Sequence, residues 1–216
     1  MTDEPNTPEE LPDALLAEED IPAWYLSAVR DVGRVAWDIE TTGLDWRADR
    51  IGTCQLYVPG KDTVIVKVGP EAPPLLAQLL ADGSVIKLFH HAMFDLRFMS
   101  HTWDVEPDNV ACTKVAAKIL YGNAPDATTS LKGLLELHLG VELDKAQQVS
   151  DWTAADLTGE QLAYAASDVL YLFDLLYRLE TGLEREGRLE LARACYAHVQ
   201  TRVKLDILGL PDVYTH

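Results

Sequence analysis

The order of the apolar segments along the chain restricts the fold more than any other feature of the sequence. Short apolar runs in the first half predict strands at Arg34–Asp38, Ile51–Val58, Thr63–Val68, Ser84–Phe89 and Asn109–Thr113. Apolar residues at helical spacing predict helices at Pro74–Ala81, Ala92–Thr102, Leu131–Leu139, Glu160–Glu186 and Leu189–Leu208. Because the strands come first and helices are interleaved with them, we expect a single α/β domain with a mixed sheet.

Local signals mark several boundaries of these elements. The segment Pro59–Asp62 separates two predicted strands and is typical of a hairpin connection. Thr158 and Gln161 have the spacing of a capping box, which predicts the start of the long helix. Gly209 and Pro211 follow the last helical period and predict its end. Residues 1–19 combine acids with prolines and have little to bury, so we expect an acidic disordered tail before a domain over residues 20–216.

Cysteine usage and hydropathy indicate the compartment. Cys54, Cys112 and Cys195 are odd in number, widely spaced and set among apolar neighbours. This pattern predicts reduced, buried thiols and argues against both a disulfide framework and a zinc site. No apolar run approaches the ~20 residues of a membrane span, and the N-terminus lacks the features of a signal peptide. We therefore expect a cytoplasmic protein with no membrane partner.

The first candidate for chemistry is the pair Asp38 and Glu40, at the end of a predicted buried strand. Residues two apart in a strand point to the same face, so the two carboxylates should lie side by side. They would repel each other unless a cation lay between them, and Mg²⁺ and Mn²⁺ prefer such oxygen ligands. An isolated Asp-x-Glu is most often solvated and idle. The following segment, Thr41–Leu44, argues for function because Gly43 allows close backbone approach and the two threonines offer donors.

A second candidate is Asp95, in the first turn of the helix that follows the strand ending at Phe89. An acid at a helix start is also expected from the helix dipole alone, and for Asp95 by itself that explanation is the more common one. The neighbouring His90 and His91 could be metal ligands. We favour a structural or substrate-contacting role for both histidines.

A third candidate is the pair Tyr164 and Asp168 on the long predicted helix. Residues four apart lie on one helix face, so the phenol and the carboxylate should point the same way. Inside an otherwise apolar helix both groups are costly unless they meet partners. The pair alone is a weak signal. The prediction of a functional site rests on the order and spacing of all three candidates taken together.

These residues resemble the DEDD superfamily of exonucleases, in the tyrosine-containing branch that includes ribonuclease D. The resemblance rests on Asp38–Leu44, Phe89–Asp95, Ser150–Trp152 and Leu162–Leu172. Within that branch the chain is most similar to the nanoRNase C group, compact bacterial enzymes that degrade very short RNA. The segments that favour this group are Cys112–Lys114, Lys145–Gln148 and Leu205–Leu210. Thr42 departs from the leucine expected at its position, and the acidic tail is an addition.

The resemblance implies a ribonuclease H-like fold, with a mixed sheet of five or six strands flanked by helices. It implies two divalent ions, Mg²⁺ or Mn²⁺: Asp38, Glu40 and Asp168 would bind one, and Asp38 would bridge to a second that Asp95 holds. Tyr164 would orient the attacking water. The residues expected to contact substrate are Thr41, Thr42, Gly43, Leu44, His90, Lys114 and Gln148, with Leu44 as an apolar wedge against the terminal bases.

The net charge of −17 bears on the substrate of such an enzyme. Proteins that track long nucleic acids usually carry a basic stripe, and none is evident here. Either the substrate is very short, or Lys and Arg clusters form only in the fold. The leading hypothesis is hydrolysis of RNA dinucleotides and oligoribonucleotides to nucleoside 5′-monophosphates.

Other functions remain open from the sequence alone. The enzymatic alternatives are ribonuclease D-like trimming of tRNA 3′ ends and 3′–5′ exonuclease action on DNA. A non-catalytic nucleic-acid-binding module is disfavoured because all four carboxylates and the tyrosine are present. The resemblance also implies a ring-like homo-oligomer, for which an octamer is one possible size. The apolar surface of Val203–Val213 could pack against another subunit in such a ring.

Overall fold

The computed structural model describes residues 14–122, 124–144, 146–210 and 213. The strands are β1 (Ala14–Glu18), β2 (Arg34–Thr41), β3 (Ile51–Tyr57), β4 (Thr63–Lys67), β5 (Ile86–Phe89) and β6 (Val110–Cys112). The helices are α1 (Ala23–Val32), α2 (Pro74–Leu80), α3 (Ala92–Trp103), α4 (Thr113–Tyr121), α5 (Leu131–Leu139), α6 (Gly159–Leu170), α7 (Leu172–Arg185) and α8 (Leu189–Ile207).

The strands form one six-stranded sheet in the order β1-β4-β3-β2-β5-β6. Strand β2 lies in the middle, antiparallel to β3 and parallel to β5, while β6 is parallel to β5. The β3–β4 pair is the predicted antiparallel hairpin. The predicted α/β fold with a mixed sheet is therefore confirmed. Because β2 lies in the middle of the sheet, its side chains point alternately into the centre of each sheet face.

The two faces of the sheet are covered by different helices. On one face Val35, Trp37 and Ile39 of β2 belong to an apolar cluster with residues of α1, α2, α3 and α8. On the other face Ala36 packs with residues of α4, α5 and α7, and α6 lies over β2, β3 and β4. Because side chains alternate along a strand, Asp38 and Glu40 share the face of Ala36 and lie under α6.

The predicted disordered tail is wrong for Ala14–Glu18, which form β1 and pair with β4 in parallel register. The reason is the short apolar run that these residues contain, since it can extend the sheet at an open strand edge. Ala14 packs against the cluster that contains Trp152 and Tyr164. The first 13 residues of the expected tail lie outside the described residues.

The single helix predicted over Glu160–Glu186 is also wrong, because α6 and α7 are separated at Tyr171. The backbone of Tyr171 has φ −97° and ψ 1°, outside the helical region. The apolar period continues across this residue, so periodicity alone cannot detect the change of direction. The predicted capping box of Thr158 and Gln161 is present at the start of α6.

The other predicted strands and helices are confirmed, with boundaries that differ by at most three residues, and α8 ends before Gly209, whose φ is +73°. Helices α1 and α4 were not predicted. Cys54 and Cys112 are buried, Cys195 is partly buried, and all three are free thiols. In the part of the chain that the structure describes, no helix has the length and apolarity needed to cross a bilayer.

Candidate active site

An open cleft of about 640 Å³ lies at the carboxyl end of β2. Every residue that the sequence analysis assigned to the site lines this cleft. They are Asp38, Glu40, Thr41, Thr42, Gly43, Leu44, His90, Asp95, Lys114, Gln148, Tyr164 and Asp168. Residues from β2, α3, α4, α6 and three connecting segments therefore converge on one place.

Three carboxylates of the cleft form a compact group. Asp38 and Glu40 come from β2 and Asp168 from α6, and one oxygen of each lies within 4.8 Å of the other two. Strand alternation places the first two on the same sheet face. The pairing of β2 with β3 shifts register between Glu40 and Thr41, so the strand ends just beyond the acids. Among the residues that the structure describes, no histidine joins this group.

Asp95 lies in the first turn of α3 and is almost fully buried. The preceding His91 adopts a left-handed conformation with φ 74°, which turns the chain from β5 into α3. Hydrogen bonds from the backbone N–H groups of Asp95 and Ile39 favour the ionised carboxylate. Burial outweighs them, and the pKa of Asp95 is raised to about 8.

The electrostatics of the carboxylate cluster indicate what the site can hold. Burial raises the pKa of Asp38 well above its ordinary value, and the neighbouring carboxylates raise it further. For the same two reasons the pKa of Glu40 is raised to about 9. Buried carboxylates this close together need either protons or cations. An all-oxygen donor set fits a hard divalent cation such as Mg²⁺.

Tyr164 lies beside this carboxylate group on α6. Burial raises the pKa of its phenol, and so do the charges of nearby carboxylates and its hydrogen bond to Asp168. The phenol is therefore protonated at neutral pH. Its ring packs against that of Trp152, with centroids 5.9 Å apart. Trp152 in turn lies against Gly52 of β3, where a Cβ atom would overlap the tryptophan.

The segment after β2 forms a rim of the cleft. The Thr41 hydroxyl donates a hydrogen bond of 2.6 Å to the carbonyl oxygen of Gly43. A Cβ atom at Gly43 would overlap the carboxylate of Asp49, so any larger residue here would force that side chain to move. Leu44 follows with 83% of its surface exposed. An exposed leucine at the mouth of a polar cleft is available to pack against a bound base.

The lining of the cleft also contains His90 and Lys114. The Thr113 hydroxyl donates to the carbonyl oxygen of Phe89, so it can accept a hydrogen bond from Nδ1 of His90, which lies 2.8 Å away. This contact fits a proton on Nδ1 of His90. Lys114 is the single Lys or Arg among the described residues that line the cleft.

Some lining residues were not assigned to the site from the sequence. They are Ile39, His91, Phe94, Ser130, Leu131, Val149 and Ser150. Ser130 caps α5, accepting a hydrogen bond from the backbone N–H of Gly133. A serine before an apolar helical period is a recognisable capping signal, but nothing in that signal points to a cleft. Gln55, fully buried on β3 beside Asp38, was also missed.

A carboxylate cluster on the central strand of a ribonuclease H-like sheet, covered by a helix that carries a tyrosine, defines an exonuclease of the DEDD type. The 3′–5′ exonuclease family model matches residues 15–184, and the chain belongs to this family of hydrolytic enzymes. The tyrosine places it in the branch that contains ribonuclease D and the nanoRNase C (NrnC) group.

Individual relatives support this assignment. NrnC of Brucella melitensis is 36% identical, with a TM-score of 0.86 over 94% of this chain and 98% of its own. It has also been solved with bound Mg²⁺ and with pGG. Ribonuclease D of Gluconacetobacter diazotrophicus is 36% identical over 142 residues, covering 63% of this chain. That match spans 35% of the relative, so the chain corresponds to less than half of the curated protein it resembles. Escherichia coli RNase D, at 24% identity and a TM-score of 0.74 over 93% of this chain and 51% of its own, shares the fold.

Proposed function

We propose that the chain is a metal-dependent 3′–5′ exoribonuclease that hydrolyses very short RNA, with dinucleotides as the favoured substrate. The observation that best supports this substrate is the charge of the residues that line the cleft. Four carboxylates face a single cationic side chain, Lys114, among the described residues that line it. A long nucleic acid would meet few counter-charges there, whereas a dinucleotide has only one internucleotide phosphate to neutralise.

The metal ligands follow from the carboxylate group. Asp38, Glu40 and Asp168 would hold one Mg²⁺ or Mn²⁺, and Asp38 and Asp95 a second. When bound, such ions activate an attacking water and neutralise the charge that develops on the phosphate and the departing oxygen. The raised pKa values of Asp38, Glu40 and Asp95 support this role, because a cation would replace the protons that the metal-free cluster retains.

Tyr164 acts as the positioning group for the attacking water. Its hydroxyl donates a hydrogen bond to Asp168, which leaves the phenol oxygen able to accept one from water. A phenol with a raised pKa is a poor base at neutral pH, so orientation is its contribution. Water attacks the phosphorus and the bond to the 3′ oxygen breaks. The 3′ oxygen takes up a proton, and the released product is a nucleoside 5′-monophosphate.

The remaining cleft residues bind the substrate. Leu44 packs against the terminal bases as an apolar wedge, which its exposure at the rim supports. Thr41, Thr42 and Gly43 offer hydroxyl and backbone groups to the terminal sugar. His90, Lys114 and Gln148, which also line the cleft, contact the rest of the substrate. A cleft of about 640 Å³ has the size of a small-ligand site, as a dinucleotide requires.

A length series tests the proposal. Rates are measured on 5′-labelled RNA of two, three, five and twenty nucleotides with added Mg²⁺ or Mn²⁺, beside an EDTA control and Asp38→Asn. We expect kcat/KM to be highest for the dinucleotide and no turnover in EDTA. A rate that is flat or rises with length would contradict the dinucleotide specificity.

The second candidate function is ribonuclease D-like trimming of tRNA 3′ ends, which the ribonuclease D relatives favour. DNA is a further possible substrate. Adding a tRNA with an extended 3′ end and a DNA dinucleotide to the length series distinguishes these activities. If tRNA is trimmed faster than the RNA dinucleotide is cleaved, the ribonuclease D-like function replaces the leading one.

We also propose a cytoplasmic homo-oligomer, with an octameric ring as one candidate form. The apolar side chains of Leu208 and Leu210 support it, since 63% and 51% of their surfaces are exposed just beyond α8. The relationship to the NrnC group supports it as well. Sedimentation that finds only monomer across a concentration series would contradict the oligomer and leave the proposed chemistry untouched.

A further inference from the structure

Gln55 is a buried polar residue whose side chain is hydrogen-bonded to Asp38 and to Thr53. It lies on β3 directly opposite Asp38 of β2, and none of its surface is exposed. Its side-chain nitrogen donates a hydrogen bond of 2.6 Å to Oδ2 of Asp38. Its side-chain oxygen accepts one of 3.3 Å from the hydroxyl of Thr53. Both ends of the amide are therefore engaged.

The neighbours of Gln55 show that packing alone does not explain it. Leu56 and Cys54, on either side of it, belong to the apolar cluster on the opposite sheet face. The residue opposite Gln55 on β4 is Ile65, which is fully buried with Trp152. At such a position an apolar side chain would avoid the desolvation of an amide. The amide is favourable there only because Asp38 and Thr53 supply partners.

The Asp38 carboxylate determines which way the amide points, and the hydroxyl of Thr53 supports that orientation. If the amide were flipped, its oxygen would face the Asp38 carboxylate, and two acceptors would be opposed. Thr53 donates to the amide oxygen and so holds the side chain from its other end. A neutral amide donates a directional hydrogen bond to Asp38 without adding a charge beside it. A lysine here would compete with a cation for Asp38, and a carboxylate would add a further negative charge.

We propose that Gln55, supported by Thr53, is a positioning residue that fixes the Asp38 carboxylate for metal binding. An ionised carboxylate offers about four acceptor sites on its two oxygens, and Gln55 occupies one of those on Oδ2. The bond limits rotation of the carboxylate, so its remaining sites keep one direction into the cleft. Partners of this kind, behind a metal ligand, typically change metal affinity by about 10–100-fold. The inference rests on the proposed metal-dependent function.

The test measures Mn²⁺ affinity of the full chain by electron paramagnetic resonance, together with kcat and KM on an RNA dinucleotide. Gln55→Met keeps the length and approximate volume of the side chain but removes the donor. We expect it to weaken Mn²⁺ binding by about 10–100-fold and to lower kcat at subsaturating metal. KM for the dinucleotide should change less than about threefold. Gln55→Glu should bind Mn²⁺ no better than Gln55→Met at pH 8.

Two further variants keep the inference open to refutation. Cys54→Ala, on the other face of the same strand, is the control and should keep the wild-type Mn²⁺ affinity. Thr53→Val keeps the side-chain shape but loses the supporting hydroxyl, and should weaken binding by about 3–10-fold. If Gln55→Met folds and binds Mn²⁺ within threefold of wild type, the proposal is overturned. If Gln55→Met does not fold, wild-type affinity in Thr53→Val overturns it. Failure of the wild-type chain to bind Mn²⁺ would refute the metal-dependent function itself.

Discussion

The two faces of strand β2 differ in what they do for the molecule. On one face, Val35, Trp37 and Ile39 are buried in an apolar cluster, and their burial stabilises the fold. On the other, Asp38 and Glu40 crowd against carboxylates from α3 and α6, and their raised pKa values show that ionisation is unfavourable there. Burial of the apolar side chains on one face of β2 thus stabilises the fold, whereas the crowded carboxylates on its other face destabilise it. Because the negative charges of these carboxylates repel one another, a cation that bound between them would relieve the repulsion.

The largest expected effect comes from removing one charge on the polar face. Asp38→Asn keeps the size of the side chain but removes a metal ligand. We expect kcat on an RNA dinucleotide to fall by about 10³-fold and metal affinity to fall with it. The metal-free variant should melt at a higher temperature than wild type at pH 8, because one disfavoured charge is gone. Wild-type turnover by this variant would refute the proposed site.

A smaller effect is expected from the helix that covers this face. Tyr164→Phe removes the hydroxyl that donates to Asp168 and orients water, while the ring still packs against Trp152. We expect kcat to fall by about 10–100-fold with metal affinity nearly unchanged. The comparison of kcat with a metal titration checks this directly. A parallel loss of metal binding would show that the phenol holds the ligands in place instead of the water.

The pH dependence of stability sharpens the contrast between the faces. Glu40 has a pKa of about 9 in the folded chain against an ordinary value of 4.5. Between these values the folded chain binds more protons than the unfolded chain, so the free energy of unfolding falls as pH rises. In EDTA we expect the melting temperature to decrease from pH 5 to pH 8, and excess Mg²⁺ to restore it. Glu40→Gln should flatten this decrease, and an unchanged slope would contradict the assignment.

The smallest effect on activity is expected from the apolar face. Val35→Ala deletes two buried methyl groups and should lower the free energy of unfolding by about 2 kcal/mol. Because Val35 does not line the cleft, kcat of the folded protein should remain within about twofold of wild type. Urea denaturation and dinucleotide turnover measure the two quantities separately. A large loss of kcat would mean that the two faces are coupled through the strand.

Much of the site was predictable because its residues stand out from apolar surroundings. Asp38, Glu40 and Asp168 interrupt buried apolar segments, and burying a carboxylate is energetically unfavourable unless it meets a partner. Gln55 also interrupts a buried strand, but one amide has no spacing pattern that indicates a partner. Its role becomes visible only when pairing between β2 and β3 places it opposite Asp38.

The parts of the fold that were not predictable depend on contacts between distant segments. Strand β1 forms because the outer edge of β4 is open to it, and its flanking acids suggested a tail instead. The division of the long helix at Tyr171 follows from packing, since α6 lies over β2 and β3 whereas α7 packs against α4. The open edge of β4 and the packing surfaces of α6 and α7 form only in the folded chain. The sequence around β1 and Tyr171 therefore does not indicate these contacts.

The cluster of acids draws its members from β2, α3 and α6, which lie far apart along the polypeptide. During synthesis the first two acids leave the ribosome long before Asp168 does. A nascent or truncated chain that lacks α6 has neither the third member of the carboxylate group nor the tyrosine. The carboxylate group is therefore complete only after α6 has been synthesised and has packed over β2.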